Sequence, residues 1–118
     1  MAVELYGIPN CDTVKKARAW LEGQGIAYGF HDYKKEGADA ARLAAWADQA
    51  GWEPLLNTRG TTFRKLSEAE RAVIDRAKAL ALMEAHPSLI KRPVVEHPGG
   101  LLVGFDPGRW SEIGRAHV

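Results

Sequence analysis

Two changes of hydrophobic period within the first 33 residues restrict the fold more than any other feature of this chain. In "VELYGI", Val3, Leu5 and Gly7 alternate with Glu4, Tyr6 and Ile8, the period of two that a half-buried strand requires, and Pro9-Asn10 turns the run into a loop. From Asp12 the apolar positions Val14, Ala17, Trp20 and Leu21 recur at helical spacing, with Lys15, Lys16, Arg18 and Glu22 on other faces, until Gly23 and Gly25 stop the pattern. "IAYGFHDY" then brings Tyr28 and Phe30 in a second run suited to a pleated surface. Strand, helix and strand in this order read as a βαβ unit, with parallel strands and a right-handed crossover.

The middle of the chain is helical in pattern. "ADAARLAAWADQAG" puts Ala40, Leu43, Ala44, Ala47 and Ala50 on one face and ends at Gly51. The stretch from Glu53 to Leu66 carries Pro54, Asn57 and Gly60 and reads as a loop with one helical turn. Ser67 and Glu70 form the S-x-x-E pattern of a capping box, opening a run through Val73, Ala77, Leu80 and Ala81 to Ala85 as one or two helices, which Pro87 terminates. Two β-rich runs follow, Val94 to Glu96 and Leu101 to Phe105, joined by "HPGG" as a hairpin, and "DPGRWSEIGRAHV" closes as a short helix with a frayed tail. The order is β-α-β, a helical middle, then β-β-α: an α/β chain with a small mixed sheet.

The whole sequence of 118 residues suits one domain. With 46% apolar and 26% charged residues and a mean hydropathy of −0.28, the composition is that of an ordinary globular chain. A net charge of +1 argues against a nucleic-acid partner, and no apolar run approaches a membrane span. The start "MAVELYGIPN" has no secretory pattern, so the expected location is the cytoplasm. The four histidines, His31, His86, His97 and His117, are scattered and without a second cysteine, so no metal site is expected. Trp20, Trp46, Trp52 and Trp110 lie in or beside apolar helical patterns and read as core or core-edge residues, while Gly99 and Gly100 read as hairpin turn residues.

One cysteine, Cys11, sits where the first strand gives way to the first helix. A single thiol closes no intramolecular disulfide, so disulfide chemistry here needs an outside thiol. Free cysteine is commonly a small buried hydrophobe. The neighbours Pro9, Asn10, Asp12 and Thr13, however, mark a polar junction rather than an apolar stripe. A sulfur at a helix entry faces unpaired N–H groups and the positive end of the helix dipole, which favour the nucleophilic thiolate. Asp12 reads as the helix cap, with Thr13 as the competing candidate. Lys15, four residues on, can face the sulfur or the solvent.

"LYGIPNCDTVKKARAWLE", "NTRGTTFRKLSE" and "HPSLIKRPVV", in this order and followed by "VGF", resemble the arsenate reductase-like family of the thioredoxin-like superfamily. The resemblance runs from Val3 to about Ile113 and is nearest the branch described as glutathione-dependent thiol reductases. It implies a thioredoxin-like (glutaredoxin-like) mixed four-stranded sheet made of residues 1–36 and 88–114, with a helical insertion over 37–87. It also implies that Cys11 attacks the substrate and that Arg92 in "KRPVV" and Arg59 in "NTRG" stabilise it, Arg64 being the rival to Arg59. A guanidinium suits that task because it stays charged and binds oxyanions or carboxylates in a fork. Pro93 resembles the cis-proline that faces the thiol in this fold, and Asn10, Lys15 and Pro93 are the expected substrate-binding residues.

Three departures from the family pattern bear on activity. Gly104 and Phe105 stand where arsenate reductases carry a further arginine, "YGIPNC" lacks the histidine that precedes their cysteine, and Val14 replaces the second cysteine of the related regulators' C-x-x-C switch. The expected activity is therefore that of a monothiol oxidoreductase, with glutathione or another small thiol as cosubstrate and no bound cofactor, in a monomer. The alternatives are a non-enzymatic module of the same fold that binds a protein partner and, third, an arsenate reductase.

Overall fold

A computed structural model describes residues 3–117. The chain divides into two compact units, one made of Met1–Glu36 with Arg92–Val118, the other of Gly37–Lys91.

The first unit is a sheet with helices. β1 (Val3–Gly7), β2 (Tyr28–Asp32), β3 (Val94–His97) and β4 (Gly100–Val103) lie in the order β2-β1-β3-β4. β1 and β2 are parallel, joined through α1 (Asp12–Gly23), while β3 runs antiparallel to both β1 and β4. The mixed four-stranded sheet and the predicted β-α-β and β-β-α order are both present. Side chains alternate across the sheet. Val3, Leu5, Val95 and Leu102 point to the face where Ala17 and Leu21 of α1 pack with Trp110 and Ile113 of α8 (Pro107–His117). Trp110 anchors that corner, donating from Nε1 to the Gly104 carbonyl at 3.0 Å and meeting Trp20 and Phe105 edge-on. Glu4, Tyr6, His31, Val94 and Glu96 occupy the opposite face.

Several boundaries in this unit differ from the sequence reading: β3 runs on to His97, and β4 starts at Gly100, which pairs with His97 rather than turning the hairpin, and ends at Val103 rather than Phe105. Tyr33 does not end the second strand; it opens a one-turn helix, α2 (Tyr33–Glu36). The last segment is not a short helix followed by a frayed tail but one helix that continues to His117, its inner side fixed by Trp110 and Ile113. Val118 lies outside the described residues.

The second unit is helical. α3 (Ala40–Ala50) packs on α7 (Arg76–Ala85), and α4 (Trp52–Leu55) packs on both. The core holds Leu43, Trp46, Leu55, Met83, Leu89 and Ile90. The stretch from Glu53 to Leu66 is not a loop with one turn: α4 and α5 (Thr61–Arg64) each make one. Turns this short do not stand alone. Buried Leu55 and Leu56, with the Leu56–Ile90 bridge flanked by 2.7 Å hydrogen bonds from Asn57 N to Leu89 O and Lys91 N to Leu55 O, hold this stretch. The capping box is real, Ser67 and Glu70 bonding reciprocally, but it opens only the single turn of α6 (Glu68–Arg71), and Asp75 caps α7 separately. Among the described residues no helix is long and apolar enough to cross a membrane.

Candidate active site

β1 ends at Gly7, where the chain passes close over α1: a Cβ there would lie 2.8 Å from Val14 Cγ2. The Ile8–Cys11 turn that follows is closed by Cys11 N donating to Ile8 O at 3.2 Å. Cys11 is itself the N-cap, extended at φ −86 and ψ 125, and its carbonyl accepts from Lys15 N at 2.9 Å. This corrects the expectation that Asp12 or Thr13 caps α1; both lie inside the first turn. An oxygen cap would occupy the orphan N–H groups. With a sulfur at the cap position, those groups remain for a thiolate. Cys11 closes no cap hydrogen bond of ordinary geometry as a thiol, and the Val14 and Thr13 amides lie close enough to favour its ionised form.

The second contributor arrives from the other end of the unit. Arg92 stands two residues ahead of Val94, the start of β3, and the Arg92–Pro93 peptide is cis. Pro93 is buried, and its carbonyl accepts from Gly104 N at 2.7 Å, tying the entry of β3 to the exit of β4. Arg92 is half-buried, and its guanidinium acts on the Cys11 thiol through both hydrogen bonding and charge, each favouring the thiolate. Four influences lower the Cys11 pKa against one that raises it. Partial burial pushes it up; the Val14 amide, the Arg92 hydrogen bond, the Thr13 amide and the Arg92 charge pull it down, and the net position is below the ordinary thiol value. Cys11 is half-buried rather than sealed in the core. The arrangement favours the nucleophilic thiolate over the thiol.

The remaining predicted residues are placed as follows. Asn10 is exposed in the turn ahead of Cys11, and Lys15 is exposed on the first turn of α1. Arg59 belongs to the helical unit, exposed in the turn before α5; its amide donates to Asn57 Oδ1 at 3.1 Å, and its carbonyl accepts from Arg64 Nη2 at 3.0 Å. Among the described residues no group of three or more His, Cys, Asp or Glu side chains is arranged to hold a metal. Sequence reasoning passes over the aromatic and acidic groups on the sheet face opposite α1. There Tyr6 donates to Glu96 Oε1 at 3.2 Å, and its ring stacks on His31 at 4.4 Å and beside Tyr33 at 6.5 Å. The available signal is the alternation itself, which sets Glu4 and Tyr6 on the face away from Val3 and Leu5.

The model of the ArsC family matches residues 6–113. The chain belongs to the ArsC family. A solved structure described as YFFB protein superposes on this ArsC-family chain with a TM-score of 0.92 and 53% identity, covering 95% of this chain and 98% of the other. An arsenate reductase (ArsC) related protein from Brucella melitensis does so with a TM-score of 0.75 and 56% identity, covering 95% and 93%. A Haemophilus influenzae protein described as uncharacterized is 42% identical over 104 residues, 88% of this chain and 91% of its own. The ArsC fold is that of thiol-based oxidoreductases, with the thioredoxin-like mixed sheet described above.

Proposed function

We propose that this ArsC-family protein is a glutathione-dependent monothiol oxidoreductase. The observation that carries the reading is a lone sulfur at the start of α1 under the joint hold of two backbone amides and one guanidinium. The Cys11 thiolate attacks the glutathionyl sulfur of a mixed disulfide R–S–S–G; the Cys11–S–S–G bond forms as the substrate's own S–S bond breaks, and the electron pair leaves with RS⁻, which takes a proton from water. A second glutathione thiolate then attacks the glutathionyl sulfur, releasing oxidised glutathione and restoring the Cys11 thiolate. The two electrons that reduce the substrate come from glutathione, so the chain needs no second cysteine. Arg92 stabilises Cys11 as leaving group in the second step just as it stabilises the nucleophile in the first.

Asn10, Lys15 and Pro93 are the candidate contacts for an extended peptide thiol, as the resemblance implies, Lys15 being suited to a carboxylate. Arg59 enters this reading as the resemblance implies, as a guanidinium for the substrate's anionic groups. The absence of an arginine at Gly104 and Phe105 weighs against arsenate as the substrate.

The test is incubation with oxidised glutathione followed by intact-mass measurement, together with turnover of a small glutathione mixed disulfide. One glutathione should add to the parent chain and leave on addition of reduced glutathione, and Cys11→Ser should neither add it nor turn over. A parent chain that forms no adduct and gives no turnover rejects the reading.

A further inference from the structure

The turn of the β3–β4 hairpin is fastened by a side chain. His97, the last residue of β3, stands opposite Gly100, the first of β4, across the Pro98-Gly99 turn. Alternation puts His97 on the same face of the sheet as Val95, the face that packs against α1 and α8, and it is only 6% exposed. Gly99 N donates to His97 Nδ1 at 3.1 Å. This is the imidazole counterpart of an Asx turn, in which a side-chain acceptor takes the amide two residues on. β4 lies at the edge of the order β2-β1-β3-β4, so within the described sheet β3 is its only partner.

An Nδ1 that accepts carries no proton, so the His97 ring is neutral and its hydrogen sits on Nε2. Protonating Nδ1 takes the acceptor away from Gly99 and leaves a charge on a buried ring. Glu112, on α8, is the titratable group set against His97 and favours the imidazolium. The neighbouring Glu96 points to the opposite face, where it accepts from Tyr6. Burial outweighs Glu112, and the His97 pKa is lowered from its ordinary value. We propose that His97 is an acid-released latch on the hairpin: its neutral ring holds Gly99, and uptake of one proton frees the turn end of edge strand β4. The other end has its own tie, Gly104 N to Pro93 O at 2.7 Å, which involves no titratable side chain. The hold is complete above the ordinary histidine value of about 6.5 and is lost as pH falls toward the lowered folded value. None of this depends on the thiolate reading of Cys11.

NMR of the parent protein tests the latch without any variant. In mildly alkaline buffer the imidazole nitrogens of His97 should show the Nε2–H tautomer with Nδ1 as acceptor; the Nδ1–H tautomer overturns the proposal. On acidification the Gly99 amide should lose hydrogen-exchange protection by up to about tenfold per pH unit, the slope for one proton, while the Gly104 amide keeps its own. Protection at Gly99 that is indifferent to acid, or that falls equally at Gly104, overturns the proposal. His97→Asn supplies an Oδ1 acceptor that takes up no proton, and it should keep Gly99 protected across the same range. An acid-dependent loss at Gly99 that persists in this variant also overturns the latch. Should the variant fail to fold, the tautomer and the paired Gly99 and Gly104 titrations in the parent decide the question.

Discussion

Val73 shows how a single residue can oppose its own conformation. It lies between α6 and α7 with φ +43 and is 93% exposed, so a β-branched side chain occupies a left-handed backbone without burial to offset it. The sequence hides this, because Val73 continues the helical run that the Ser67–Glu70 box opens. What breaks the run is capping: Lys78 Nζ donates to the carbonyls of Ala69 and Ala72, and Asp75 accepts from Lys78 N at 2.9 Å to start α7 anew. Val73→Gly should stabilise the protein by about 1 kcal/mol, removing the steric cost at a small entropic one. Urea unfolding reads this as a higher midpoint with an unchanged slope; a lower midpoint means that the valine is doing something its exposure conceals. Cys11 is the opposite case. Its place at a helix entry is legible in the sequence, but its being the cap itself is not, since cysteine lies outside the usual capping set.

At the scale of elements, contacts between segments position the reactive residue and close the unit. Gly7 lets the end of β1 pass close to Val14 of α1, and Gly7→Ala places a Cβ 2.8 Å from Val14 Cγ2. Both partners are buried, so the first turn of α1 must shift. A loss of about 1–3 kcal/mol is expected, with a higher Cys11 alkylation midpoint as the Thr13 and Val14 amides move; unchanged stability together with an unchanged midpoint would show that the turn is not held this way. A second junction joins β1, β2 and α2 through His31, whose Nε2 lies 2.9 Å from Glu4 Oε2 and Nδ1 3.1 Å from Glu36 Oε1. Only the imidazolium donates to both carboxylates. Partial burial pulls the His31 pKa down, but the Glu4 and Glu36 hydrogen bonds and charges outweigh it, and the net shift is upward. Its stabilisation is thus complete below the unfolded value of about 6.5 and is lost as pH rises through the raised folded value. His31→Gln should therefore melt below the parent on the acid side, with the gap narrowing as pH rises through that window. A gap that widens with pH contradicts the assignment.

Across the whole molecule, what could be read from the sequence follows the length of the pattern. The strands, α1 and α3 have enough repeats of period two or 3.6 to declare themselves, and the hairpin is marked by its Pro98-Gly99 turn. α4, α5 and α6 are single turns, too short to show a period, and the buried Leu55 in α4 and Leu66 between α5 and α6 are isolated apolar positions in the sequence. The candidate site is divided in the same way. Cys11, Arg92 and the cis Arg92–Pro93 bond came to attention through local motifs and a family resemblance. The Tyr6, Tyr33 and Glu96 cluster becomes visible only when β1, β3 and α2 are laid side by side. The fold brings the first helix and the third strand of one unit to a common point, and the electrostatics at that point decide what the protein can do.

The most direct test is the pH dependence of Cys11 alkylation in the parent protein and in Arg92→Met. The parent midpoint should lie below that of an unstructured thiol. Arg92→Met should raise it, with the alkylation rate below the parent midpoint falling about tenfold as one charge-assisted hydrogen bond is lost. A parent midpoint at or above the free-thiol value, or one that does not respond to the loss of Arg92, would contradict the account.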